Sequence, residues 1–301
     1  MCVLSATAQN TDQSVWLQME RGIEEYDAGH LGEALKLFRQ IIEHDASYAN
    51  AHMWIGHVFA VEGEYEAAIG KYEDSLDEGR HFFPRSEKIE AYYSLAETSM
   101  RLGDEERSRY CLAQVLEQGR QEMLPAARQT AIVEKFLAEG PDKTLELYRL
   151  KDKGVRRAYQ ILGELELQSE SYNQALEYFL FSIITSMSLA IDALRSEDPE
   201  YLFIQNEMNP GDPNFSTENT ARLLREVQVH PDLKKYFESI GLYRQLFFLG
   251  AALFGMEAPE KAQDVWLLVT DNRASGIWYD LAQGQLVEPD LQIISTALQY
   301  R

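Results

Sequence analysis

The chain has 301 residues, 49 of them Asp or Glu and 28 Lys or Arg, which gives a net charge of −21 and an isoelectric point near 4.7. Such acidity repels nucleic acid and anionic membrane surfaces and attracts basic partner segments. Two cysteines, Cys2 and Cys111, are too few for a disulfide framework, and the sequence contains no HExxH pair, GxxxxGK[ST] loop, strand-borne GxGxxG or GxSxG elbow.

Residues 1–13 read as a tail. Ala6-Thr7-Ala8 before Gln9 has the small-x-small form of a signal-peptidase site, yet the stretch has no basic leader and its apolar residues end at Leu4. A frayed tail, with a cytoplasmic protein, and the remnant of an export signal, with a periplasmic or exported one, both stay open. From residue 14 a unit repeats. Within 14–80, Gly22, Gly29, Leu31, Ala34 and Phe38 recur 34 residues later as Gly56, Gly63, Tyr65, Ala68 and Tyr72. In the second copy Met53, Trp54, Ile55, Val58 and Phe59 follow helical spacing, Glu62-Gly63-Glu64 interrupts, and Ala68, Ile69, Tyr72 and Leu76 resume it. This predicts a helical hairpin in which Gly63 takes a left-handed turn, Gly56 and Ala68 let the helices cross closely, and the tyrosines fill the remaining space.

The third copy, 86–120, keeps Gly103 but carries Ala96 for the first glycine and Ser108 for the alanine. Residues 124–154 form a degenerate fourth copy with Tyr148 as its best anchor. Gly163, Tyr172, Ala175 and Phe179 restore the pattern in 155–194, which predicts a second helix of unusual length. The insertion at 195–232 is broken by Pro199, Pro210, Gly211 and Pro213, with a short helix expected at 217–229. Its Tyr201, Leu202, Phe203 and Ile204 are apolar for a solvated connector. Gly250, Ala262 and Trp266 mark a last copy in 233–275, and 276–301 reads as a capping helix with Pro289 near its first turn. No apolar run matches the roughly 20 residues of a membrane-spanning helix, so no direct membrane span is expected.

A small residue, a turn glycine, then aromatic, alanine and aromatic: this order resembles the tetratricopeptide repeat. The resemblance implies an all-α, right-handed helical-hairpin solenoid (an α-α superhelix) with an irregular insertion and a C-terminal cap. The proline that often closes such a repeat is replaced by Ala46 and Arg80. In this family the first helix of each hairpin lines a concave face, which here carries Met19, Ile23 and Tyr26, then Met53, His57 and Ala60, then Tyr93, Glu97 and Met100. Gln160, Glu164 and Leu167, then Phe247, Ala251 and Phe254, hold the equivalent places later in the chain. The carboxylate-clamp subtype is excluded, because its cation and amide positions hold Met19, Ile23, Trp54, Glu90 and Ser94.

The resemblance therefore implies a noncatalytic scaffold that binds an apolar or basic segment of a protein or peptide on the concave face. No cofactor, metal or catalytic residue is expected, and His52 and His57, five apart, do not share a helix face. Tyr201, Phe203 and Leu223 of the insertion are candidate additional contacts. Two other readings stay open: a structural subunit that homo-oligomerises or assembles into a larger complex, cell-envelope complexes included, and a small-molecule or lipid carrier with a cavity beneath Phe247 and Phe254. An open groove requires Met19, Met53 and Tyr93 to be exposed.

Overall fold

A computed structural model describes residues 3–77, 79–119, 126–204 and 215–298. The chain divides into two compact units, Met1–Gln118 and Gly119–Arg301. In the first, helices pair in chain order: α1 (Val3–Asp27) with α2 (Leu31–His44), and α3 (Ala49–Glu62) with α4 (Tyr65–Leu76), followed by α5 (Glu87–Arg101) and α6 (Glu105–Gly119). The backbone of α1 is helical from Val3, inside the stretch expected as a tail.

One contact explains the spacing of the repeat. A Cβ on Gly56 would lie 2.6 Å from the Tyr72 ring, one on Gly22 2.4 Å from Phe38, and one on Gly163 2.9 Å from Phe179. Gly250 stands in the same relation to Trp266, at 2.4 Å. Each glycine thus makes room for the aromatic side chain sixteen residues later on the second helix of its own hairpin. At the same sixteen-residue offset the third copy has Ala96 and Leu112, both buried: a methyl stands where the others have glycine, and no ring follows.

The turns repeat as closely. The Gly63 N–H donates to the Ala60 carbonyl and the Glu64 N–H to that of Phe59, at 3.2 and 2.9 Å, with Gly63 at φ 81°. This pair of bonds, the Schellman closure, satisfies carbonyls that the helix end leaves open. It recurs at Gly29 and Gly103, and again at Glu170 and Glu257, where a side chain sits at φ 56° and 60°.

The second unit is built around α9 (Tyr172–Glu197), which packs on α8 (Arg156–Gln168), α12 (Leu242–Gly255) and α7 (Ala126–Leu147). By length and composition α9 could cross a membrane, contrary to the expectation from the sequence, but 78% of its apolar window is buried inside the structure. Here it is a core helix. The remaining elements are α10 (Glu218–Val227), α11 (Pro231–Ser239), α13 (Pro259–Thr270), a 3-10 turn at Arg273–Ser275, α14 (Ile277–Val287) and α15 (Leu291–Ala297). Two helices stand where one cap was expected, and Pro289 precedes Asp290, whose carboxylate accepts the Gln292 N–H at the start of α15.

In the described part of the degenerate fourth copy, residues 126–154, two helical segments meet at a kink and not at the turn seen in the other copies. Helix α7 breaks at Gly140-Pro141, with Gly140 at φ 81°, ψ −175°, and residues 148–155 are not helical. The break lets Asp142 reach the N-terminus of α10. Asp142 is fully buried and accepts from the Ser216 hydroxyl at 2.8 Å, the Asn219 N–H and Nδ2 at 2.9 and 3.2 Å, and the Thr220 N–H and hydroxyl at 2.8 and 2.7 Å. One carboxylate caps a helix from across the fold. The expected turn at Pro210, Gly211 and Pro213 lies outside the described residues.

Candidate functional site

The concave-face expectation can be followed residue by residue. Met19, Met53 and Tyr93 are only 5, 2 and 4% exposed, so they do not form an exposed apolar stripe. The physical reason is that a helix stacked between neighbouring hairpins is apolar on more than one side, and periodicity cannot say which apolar side meets solvent. Ile23, Tyr26, His57, Glu97 and Met100 are half-buried.

An opening does exist beside them. A cleft of about 420 Å³ lies between α1 and α3, floored by Met19, Ile23 and Trp54 and edged by Trp16, Tyr48 and Phe83. A second opening of about 440 Å³ shares Trp16, Tyr48 and Phe83 with it. Trp16 is 55% and Phe83 71% exposed. Glu20, Glu24 and Glu87 line the first opening and Asp45 the second, and among the described residues no Lys or Arg lines either. The surface is apolar and aromatic with an acidic rim.

One wall of the cleft comes from outside the repeat. Ala96 follows Gly56 by 40 residues rather than 34, and the extra residues form the link between α4 and α5. Asn50, itself buried, holds that link: its Oδ1 accepts the Phe83 N–H at 2.9 Å, its Nδ2 donates to the Phe83 carbonyl at 3.1 Å, and Nδ2 also donates to Glu87. Burial raises the Glu87 carboxyl above its ordinary range, although the Asn50 bond opposes this. Farther back, His81 exchanges backbone bonds with the α2–α3 junction, from its N–H to the Ser47 carbonyl at 3.0 Å and to its carbonyl from the Ala49 N–H at 3.2 Å. The repeat pattern alone did not point to Trp16, Asn50, Phe83 or Glu87; the lengthened spacing was the signal for the last two.

Behind the cleft, Tyr26, Trp54, His57 and Tyr72 form a continuous aromatic cluster, with ring centroids 5.3 Å apart for Tyr26 and Trp54, 5.0 Å for Trp54 and His57, and 5.4 Å for His57 and Tyr72. His57 Nδ1 lies 3.0 Å from the Tyr72 hydroxyl, and burial pushes the imidazole pKa down to about 4. His57 is therefore a neutral structural side chain near neutral pH.

The later part of the expected stripe is covered by its own chain. Arg244 of α12 pairs with both carboxylate oxygens of Glu164, at 2.8 and 3.1 Å, and Gln245 Nε2 donates to Gln160 Oε1 at 3.2 Å. Leu167, Phe247 and Ala251 are buried. Phe247 packs among Phe248, Trp266 and Trp278, with centroids 5.4 to 6.5 Å away, where a carrier cavity was envisaged. In the insertion, Phe203 and Leu223 are buried and the Tyr201 hydroxyl donates to Glu226 at 2.7 Å, so these side chains hold the insertion on its own unit. Among the described residues no group of three or more His, Cys, Asp or Glu is arranged to hold a metal.

Residues 19–81 match the tetratricopeptide repeat family. An uncharacterized protein of Treponema pallidum (strain Nichols) is 24% identical over 239 residues, covering 75% of this chain and 58% of that protein. The chain thus spans 58% of the length of that curated relative. Among solved structures, YrrB, described as a TPR protein with an unusual peptide-binding site, is 13% identical at a TM-score of 0.48, covering 94% of this chain and 98% of its own. MamA is 12% identical at 0.45, covering 89% and 97%, and pilF of Pseudomonas aeruginosa 17% at 0.41, covering 91% and 98%. The family match falls on the first two hairpins, where glycine, turn and aromatic recur in the strictest register, so residues 19–81 carry this chain's likeness to tetratricopeptide repeats.

Proposed function

We propose that the protein is a noncatalytic interaction scaffold whose first unit binds a partner segment in the cleft between α1, α3 and the link before α5. The observation that carries this reading is the exposed pair Trp16 and Phe83 above an apolar floor of Met19, Ile23 and Trp54, rimmed by Glu20, Glu24, Glu87 and Asp45. Exposed aromatic anchors supply contact area at little entropic cost, and the acidic rim selects segments flanked by Lys or Arg. The segment that fits is short, with apolar anchors between basic residues. Tyr26 and His57 act from behind as support for Trp54.

The test is titration of the whole protein with a synthetic peptide of alternating Leu and Lys pairs, followed by tryptophan fluorescence and calorimetry. Saturable binding that is lost in Trp16→Glu and weakened in Phe83→Ala, with helicity unchanged, is the expected result. Binding of a Leu and Glu peptide with equal strength, or indifference to both substitutions, would overturn the proposal. A homo-oligomer built on the same cleft is the second reading, and dilution-series light scattering on Trp16→Glu separates it from capture of another chain.

A further inference from the structure

In this acidic chain the densest run of cations is Arg149, Lys151, Lys153, Arg156 and Arg157, five within nine residues of the second unit. They belong to the non-helical link after α7 and the first turn of α8. The first three line a pocket of about 290 Å³, together with Tyr159 and Phe181, whose rings lie 5.5 Å apart, and Thr185. Among the described residues no carboxylate lines it. Asp152, the acidic residue within the link, is engaged at the entry to α8, where its Oδ1 accepts the N–H groups of Gly154 at 2.9 Å and Arg156 at 3.3 Å.

Arg149 makes the site unusual. Its Nη1 is buried with no hydrogen-bond partner among the described residues, and its guanidinium lies 5.4 Å from the centroid of the Phe203 ring. Burial and the like charge of Arg195 both act against its protonated form, with Asp192 and Tyr201 favouring it. A desolvated guanidinium N–H without an acceptor is costly, and a fork of such donors matches oxyanions. The chain's overall charge does not prevent anion binding here, since screening at physiological ionic strength acts over about 8 Å and leaves the adjacent cations dominant.

We propose that this pocket binds a phosphate monoester, with the dianionic group on Arg149, Lys151 and Lys153 and the organic part against Tyr159 and Phe181. Three lining cations, with no carboxylate among the described lining residues, suit two negative charges better than one, while the Thr185 hydroxyl donates to the Phe181 carbonyl at 2.7 Å and forms a neutral wall. The site is independent of the cleft in the first unit.

Calorimetry on the full chain at fixed ionic strength, with inorganic phosphate, phenyl phosphate and benzoate as probes, tests it. Phenyl phosphate should bind saturably at one site, more tightly than inorganic phosphate and benzoate. Lys151 is exposed and outside any helix, so Lys151→Ala should fold normally and weaken phenyl phosphate about tenfold through loss of a charge-assisted contact. Arg149→Gln should weaken it at least as much, with circular dichroism as the check on folding. Absence of saturable binding, equal affinity for benzoate, or binding undiminished in the Lys151→Ala/Lys153→Ala double variant would overturn the proposal.

Discussion

At the scale of single residues, the glycine and aromatic pairs carry the most specific claim. Alanine at position 56 gains helix propensity worth about 1 kcal/mol, but its methyl meets the Tyr72 ring, and overpacking of this kind costs about 1–3 kcal/mol. Gly56→Ala should therefore lower stability in the wild type and be neutral or stabilising in a Tyr72→Leu background, the residue combination that Ala96 and Leu112 supply at the same offset in the third copy. Urea titrations of the four-member cycle measure this coupling, and strict additivity would refute the contact. Glu170 and Glu257 hold turn positions that glycine holds elsewhere, so Glu170→Gly should relieve left-handed strain and raise stability by about 0.5–1 kcal/mol. His57 gives a pH signature with a definite sign. Its folded pKa of about 4 lies below the unfolded value of 6.5, so the folded state binds fewer protons between them. The neutral ring's full contribution is present above pH 6.5 and is lost as pH falls towards 4, by about 3 kcal/mol at most. His57→Gln should flatten that part of the stability profile, and an unchanged difference between pH 7 and pH 5 would contradict the burial of the imidazole.

At the scale of elements, what was legible in the sequence was what one hairpin decides for itself. Gly22 with Phe38, Gly56 with Tyr72, Gly163 with Phe179 and Gly250 with Trp266 are local pairs at a fixed offset, so they repeat visibly and locate their hairpins. The kink in the degenerate fourth copy was not legible in the same way. Its break at Gly140 is stabilised by Asp142 bonding to Ser216, Asn219 and Thr220, residues 74 to 78 positions away, a distance over which no period operates. The expected groove side chains divide on similar grounds: spacing identified Met19 and Met53 as apolar, while only the stacked neighbours decide that both are interior. The link that supplies Phe83 showed itself as a lengthened interval but not as a cleft wall. Because the Asp142 side chain is fully buried and accepts from donors at one helix end, Asp142→Ala should leave the Asn219 and Thr220 N–H groups orphaned, at a cost of about 1–3 kcal/mol for each. Hydrogen exchange resolved by segment should show α10 losing protection before α9, and uniform loss across the second unit would argue that the carboxylate does no more than fill space.

For the whole molecule, the charge of −21 acts on stability and on recognition with opposite signs. Like charges spread over the surface repel one another and destabilise the compact state, whereas the same field draws a basic segment towards the acidic rim of the cleft. Salt shortens the reach of both effects, from about 30 Å at 0.01 M to about 8 Å at 0.15 M. Surface ion pairs such as Lys36 with Glu33 and Arg225 with Asp271 are exposed, so weakening them returns little of what relief of repulsion gains. The melting temperature should accordingly rise as NaCl increases from 10 to about 150 mM, while the association rate of the Leu and Lys peptide falls over the same range. The fall should be shallower in a Glu20→Gln/Glu24→Gln variant, which keeps most of the net charge but loses part of the rim. A salt dependence identical in that variant would assign the attraction to overall charge alone, and a falling melting temperature would mean that surface ion pairs outweigh repulsion between like charges.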